Sequence, residues 1–133
     1  LDLDLGSGSV QVQDAAADLS VRTGQGHIQV NTRVDSEGAG YGIDAHTAYG
    51  NVEVVQVGSG AIYAESHFGD VEISVPSDAN LDIYVLATHG VHVSTDQVQL
   101  DEPYGEWAET FGDGSQTLVA IAYDGAVTIE QSQ

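Results

Sequence analysis

The chain has 133 residues and is 41% hydrophobic, with no Cys and no Met; its 21 Asp and Glu face only two basic side chains, giving a formal charge of −19. That balance excludes nucleic-acid and anionic-membrane binding, both of which need clustered cations to displace counterions. No apolar run approaches the roughly 18 residues of a membrane-spanning helix. The two basic residues are Arg22 and Arg33.

From the amino end, the sequence reads as one motif written six times. Leu1, Leu3 and Leu5 alternate with polar residues, Gly8 follows, and Val10 and Val12 resume the alternation. The second copy runs Leu19, Val21, Thr23, then Gly26, then Ile28 and Val30. The third has Ile43, Ala45 and Thr47 before Gly50, with Val52 and Val54 after it. The fourth has Ile62, Ala64 and Ser66, then Gly69, then Val71 and Ile73. The fifth has Ile83, Val85 and Ala87 before Gly90, but its next apolar pair, Val91 and Val93, arrives one residue early. A turn shortened by one residue accounts for that. The sixth closes the series with Leu118, Ala120 and Ala122, Gly125, Val127 and Ile129.

Each copy thus predicts a period-2 strand, a turn at glycine and a second period-2 strand. Apolar residues stand at odd distances before the glycine and even distances after it. A bend that turns both strands toward one core explains the change of parity, and glycine tolerates the backbone such a bend requires. Repeats of this length bury an apolar face by stacking on neighbours. The expected fold is all-β: a β-solenoid, a flattened roll of about six two-strand coils, each adding one strand to each of two sheets at about 4.8 Å per step. A β-sandwich of hairpins is the alternative architecture. The whole chain, 1–133, is expected to be one domain, with loop insertions at 31–42 and 94–116. The second insertion holds Pro103, Tyr104, Trp107 and Phe111, aromatics placed to cover an end or flank of the stack.

Several of these runs resemble a prokaryotic adhesin family of unknown function with Gly-x-Val-x-Val repeats. The likeness lies in Thr23-Gly24-Gln25-Gly26-His27-Ile28-Gln29-Val30, Tyr49-Gly50-Asn51-Val52-Glu53-Val54 and Phe68-Gly69-Asp70-Val71-Glu72-Ile73. Val75 through Ile83, Phe111-Gly112-Asp113-Gly114 and Asp124 through Ile129 also fit, so it spans about Leu19 to Ile129. The resemblance implies a solenoid-like domain, secreted or attached to the cell envelope, and it carries over no catalytic residues. The segment that directs export is expected to lie outside this sequence.

The outward positions hold the charge. Glu53 and Glu72 both stand three residues after their glycines, so they should face each other on adjacent coils, an unfavourable like-charge pair. Concentrated salt relieves it, since the Debye length falls to about 3 Å at 1 M; the composition suits a salt-loving source. Divalent cations are a second remedy, and calcium matches oxygen-only ligands. The candidates are Asp101, Glu102, Glu106, Glu109 and Asp113, which crowd one insertion. No EF-hand loop accompanies them, and a solvated, repulsive face is the favoured account of these acids. Tyr63 and Tyr84, both six residues before glycine, are expected to stack on neighbouring coils. Such a strip could receive sugar rings, but an aromatic pair that stabilises the sheet is the favoured reading. Among the histidines, His67 and His89 occupy turns of successive units and could meet; histidines in solvent are the simpler account.

The expected function is a non-enzymatic extracellular or cell-surface structural and adhesion domain, a scaffold presenting polar columns and loops to carbohydrate or another cell. The alternative is a subunit that self-assembles head to tail through its end strands into a filament, because the first and last copies leave little chain for caps. A polysaccharide-active enzyme is the third reading.

Overall fold

The computed structural model describes residues 2–15, 18–32, 42–55, 61–76, 81–95, 99–111, 114 and 116–132. Each of the six copies forms a strand before its glycine and one after it. These are β1 (Asp2–Leu5) with β2 (Val10–Ala15), β3 (Leu19–Gln25) with β4 (Ile28–Thr32), and β5 (Ile43–Tyr49) with β6 (Val52–Val55). Then come β7 (Ile62–Phe68) with β8 (Val71–Pro76), and β9 (Leu81–Ala87) with β10 (Val91–Ser94). A pair absent from the repeat pattern follows, β11 (Gln99–Glu102) and β12 (Gly105–Phe111), before the sixth copy supplies β13 (Gln116–Asp124) and β14 (Val127–Ser132).

The strands make two seven-stranded sheets, ordered β1-β3-β5-β7-β13-β9-β12 and β11-β10-β14-β8-β6-β4-β2. Ten of the twelve ladders among the described residues are parallel, which makes the protein all-β with two parallel-rich sheets. The parallel ladders keep the sequence columns in register: Ile43 pairs with Ile62, and Ile62 with Leu118. In the other sheet Ile28 pairs with Val52, Val52 with Val71, and Val71 with Val127.

The apolar columns form the core between the sheets. Val21, Val30, Ala64, Ile73, Val85, Leu118 and Ile129 are fully buried. Along the strands that precede glycine in units two to six, side chains shrink from Leu or Ile to Val or Ala and then to Thr, Ser or Ala. That taper suits a corner where the two strands of a unit converge. The buried hydroxyls there are satisfied by the neighbouring unit: Thr47 Oγ1 donates to the Gly26 carbonyl at 2.9 Å and Ser66 Oγ to the Gly50 carbonyl at 2.7 Å.

The glycines serve the stacking as well as the bend. Gly50 has φ +150°, and a Cβ placed there would stand 2.0 Å from the Gly26 carbonyl oxygen. Gly125 approaches the Gly69 carbonyl in the same way, at 1.9 Å. A second ladder runs one residue beyond the glycines: His27 Nδ1 accepts from the Asn51 N–H at 2.9 Å, Asn51 Oδ1 from Asp70 at 2.8 Å, and Asp70 Oδ1 from Ala126 at 2.9 Å.

The structure corrects the sequence reading in four places. First, the units are not stacked in chain order. The sixth lies between the fourth and the fifth, with β13 hydrogen-bonded to both β7 and β9. Its Gly125 and Ala126 continue the glycine and side-chain ladders directly from Gly69 and Asp70. The fifth unit's turn is one residue short, as its spacing implied, and its Val91 pairs with Val127. A shortened turn fits at this place because no further parallel unit has to continue the ladders beyond it.

Second, the 94–116 insertion is not a plain loop. β11 and β12 join through Pro103 and Tyr104 and pair antiparallel with β10 and β9, so they cap that end of both sheets. Trp107, opposite Val85, packs partly against the core. The expectation of little chain for caps therefore fails at this end; at the other, β1 and β2 are edge strands. Third, Tyr63 and Tyr84 are not neighbours, because both pair with Val119 of the interposed β13. Fourth, the same strand separates His67 from His89. Of the 31–42 insertion, residues 33–41 lie outside the described residues. No helix among the described residues is long and apolar enough to cross a membrane.

Candidate functional site

In a pleated strand, alternate residues face away from the core. On the sheet built around β3, β5 and β7, the outward residues line up across strands: Asp4 opposite Arg22, Arg22 opposite His46, His46 opposite Glu65. Beside them the outward positions nearer the turn shrink to Gly6, Gly24 and Ala48. Small residues beside long ones leave a groove of about 590 Å³, floored by those three and rimmed by Asp4, Arg22, His46, Glu65 and His67.

Its polar centre is Glu65, whose side chain is only 14% exposed. Tyr63 donates its hydroxyl to Glu65 Oε2 at 3.0 Å, His67 Nε2 lies 3.0 Å from Oε1, and His46 Nδ1 stands 3.5 Å from Oε2. The other nitrogen of His46 contacts Asp44. Tyr63 stacks on His46 with ring centroids 4.9 Å apart, and His67 meets Tyr123 edge-on at 4.8 Å. Burial, followed by the hydrogen bond and charge of Glu65, raises the Tyr63 phenol above its usual range. A phenol so placed gives up its proton reluctantly, and both ring nitrogens of His46 already face carboxylates. The cluster is thus arranged to hold hydroxyls and charges in place.

Arg22 differs from its neighbours: among the described residues it takes part in no ion pair. Its guanidinium presents donors to the groove in a chain otherwise crowded with acceptors.

The candidates from the sequence fall elsewhere. Asp101, on β11, pairs with His92 Nδ1 at 2.8 Å, while Glu102 lies opposite Val91. On β12, Glu106 and Glu109 are separated by odd spacing and so point to opposite faces. Glu106 reaches Tyr84 and, by hydrogen bond first and burial second, raises that phenol's pKa. Asp113 lies outside the described residues. The acids are spread over two strands, and no group of three or more His, Asp or Glu among the described residues is placed to hold a metal ion. Tyr63 has one ring face on His46, and Tyr84 lies two strand steps away, about 9.6 Å. They do not form a continuous flat strip.

Two features escaped the sequence reading. The His46–Glu65–His67 centre was legible in the outward columns two and four residues before glycine, had those columns been aligned like the apolar ones. The exposed Tyr49 and Phe68, each just before its glycine, stack at 5.0 Å with planes 8° apart. One face of each ring meets the other, so the pair braces the corner between two units.

On the opposite sheet Glu53 does pair with Glu72, as expected. Burial, then the charges of Glu53 and Glu130, raise the Glu72 pKa. Gln11 donates to Gln29 at 3.1 Å, and Gln29 to Glu53 at 3.5 Å, so two amides extend this column toward the acids. Compared with known protein families, curated proteins and solved structures, the chain matches none of them.

Proposed function

We propose that the chain is a β-solenoid scaffold of a non-enzymatic extracellular or envelope-bound adhesion domain, and that the groove over Gly6, Gly24 and Ala48 holds a polyhydroxylated ligand such as a carbohydrate chain. The solenoid reading draws support from the in-register parallel ladders and the glycine-on-glycine contacts, which a hairpin sandwich would not need. The likeness of the glycine-turn runs to adhesin repeats supports the surface role.

The observation that carries the ligand reading is the groove's rim. Within one shallow channel it offers guanidinium donors at Arg22, carboxylate acceptors at Glu65 and Asp4, and imidazoles at His46 and His67. A ligand with many hydroxyls can use donors and acceptors together, where a simple anion would meet Asp4, Asp44 and Glu65. Small floor residues let a chain lie close to the backbone. The locked geometry of His46 and Tyr63 supports a binding role over proton transfer.

The test is titration with a panel of soluble polysaccharides in molar salt, followed by calorimetry. Saturable binding weakened at least tenfold by Arg22→Ala, with the melting temperature unchanged, is the expected result. Binding that survives both Arg22→Ala and Glu65→Gln, or no binding across neutral and acidic polysaccharides, removes the groove from the function.

A further inference from the structure

At the capped end of the stack the corner between the two sheets is left unfilled. In the body of the fold one inward column fills that corner, and its side chains shrink from layer to layer. Thr23, Thr47, Ser66, Ala122 and Ala87 pair in turn, and Ala87 then pairs with Gly105 of β12. The column thus ends on a residue with no side chain. A Cβ placed at Gly105 would meet nothing within 4 Å. The space left is a pocket of about 240 Å³ between β11 and β12.

Both sheets contribute to its lining, Val91 and Leu100 from one and Trp107 from the other. Tyr104, in the link between β11 and β12, also borders it and is 71% exposed, so it marks the opening. Glu102 lies directly opposite the buried Val91 in an antiparallel ladder, and residues so paired share a face, which carries the Glu102 carboxylate on the inner side. Among the described residues that side chain takes part in no hydrogen bond or ion pair. The other acid in the lining, Glu106, is hydrogen-bonded to Tyr84, which leaves Glu102 as the free acceptor. No basic side chain lines the pocket. An inward charge on an edge strand also discourages pairing with another chain. That role needs neither an aromatic wall nor a vacant pocket.

We propose that the pocket formed by Trp107, Tyr104 and Glu102 is a binding site for a small organic ammonium cation of the quaternary, choline-like class. The ring faces of Trp and Tyr attract a cation through their quadrupoles, Trp most strongly. Glu102 supplies the opposite charge. Val91 and Leu100 suit methyl groups, whereas a bare metal ion needs a shell of oxygens that this lining does not offer. The volume falls below the roughly 300–1,000 Å³ of pockets for drug-sized ligands, which restricts the occupant to a small molecule. The chain's charge of −19 enriches cations around it. The site stands at the opposite end of the stack from the groove over Gly6, Gly24 and Ala48 and does not depend on it.

Trp107 is the sole Trp in the chain, so its fluorescence reports this pocket alone. Choline chloride is titrated in place of sodium chloride at constant molar ionic strength, and the uncharged tert-butyl analogue of choline is titrated in parallel. A saturable change with choline is expected, with affinity for the analogue lower by about tenfold. Glu102→Gln and Tyr104→Ala should each weaken choline by about fivefold or more. Their melting temperatures should match the parent, since both side chains are exposed. A response to choline that stays linear, equal affinity for the uncharged analogue, or indifference to both substitutions overturns the site. Tighter saturation by a neutral sugar overturns the cation as its ligand.

Discussion

The glycines and the buried hydroxyls are the residues on which the stacking turns. At Gly50 a side chain meets two obstacles, a positive φ and the Gly26 carbonyl 2.0 Å away, and the obstacle is backbone, which cannot swing aside. Gly50→Ala should cost about 2 kcal/mol or more, read from denaturant unfolding. Gly6, around which nothing lies within 4 Å, supplies the control: Gly6→Ala should stay within about 0.5 kcal/mol of the parent. Equal costs at the two sites would contradict the close approach of successive units. Ser66 makes a second test. Ala occupies the same column in units five and six, so Ser66→Ala fits sterically and removes only the bond to the Gly50 carbonyl. A loss of about 1 kcal/mol is expected.

At the scale of the strands, the outward columns decide how the sheets respond to pH and salt. Glu72 has a raised pKa, so the folded state holds its proton more tightly than the unfolded one. Between the unfolded and folded values the native protein binds more protons, and stability falls as pH rises through that window. Above it the whole cost is present. Glu72→Gln should therefore raise the melting temperature at neutral pH by about 2 °C, the size a surface charge pair commands in a domain of this length. The gain should shrink in acid, where Glu72 is already protonated, and in molar salt. A gain independent of both would point to packing instead. The corner aromatics belong to the same scale: a double-mutant cycle on Tyr49→Ala and Phe68→Ala should give a coupling of about 0.5–1.5 kcal/mol.

For the molecule as a whole, a charge of −19 predicts a fold that is more stable where salt screens it. Melts followed by circular dichroism should show a higher melting temperature in molar salt than in dilute buffer; equal temperatures would remove the electrostatic argument. Much of the architecture was legible in the sequence, because a strict period of 2 interrupted by glycine leaves few ways to bury Val and Ile. Even the short fifth turn showed in the early arrival of Val91. The order of the units did not show, since the strands before glycine in units five and six carry the same apolar columns and either could sit on β7. What distinguishes them is the bond from the Ala126 N–H to the Asp70 side chain and the fit of Gly125 to Gly69, which only the register of the folded units reveals. The β11–β12 cap was hidden for a different reason: strands such as Gln99–Glu102 lie at a charged edge and bury too little to alternate. The groove centre was obscured because His46, Glu65 and His67 look individually like solvent residues, and only the register brings them together.

The most direct test of the layered arrangement is the set of interstrand nuclear Overhauser contacts in labelled protein at molar salt. In-register contacts are expected from Val52 to Val71, Val71 to Val127 and Val127 to Val91, with none between Val71 and Val91. A direct Val71–Val91 contact, or antiparallel pairing among β4, β6 and β8, would contradict it.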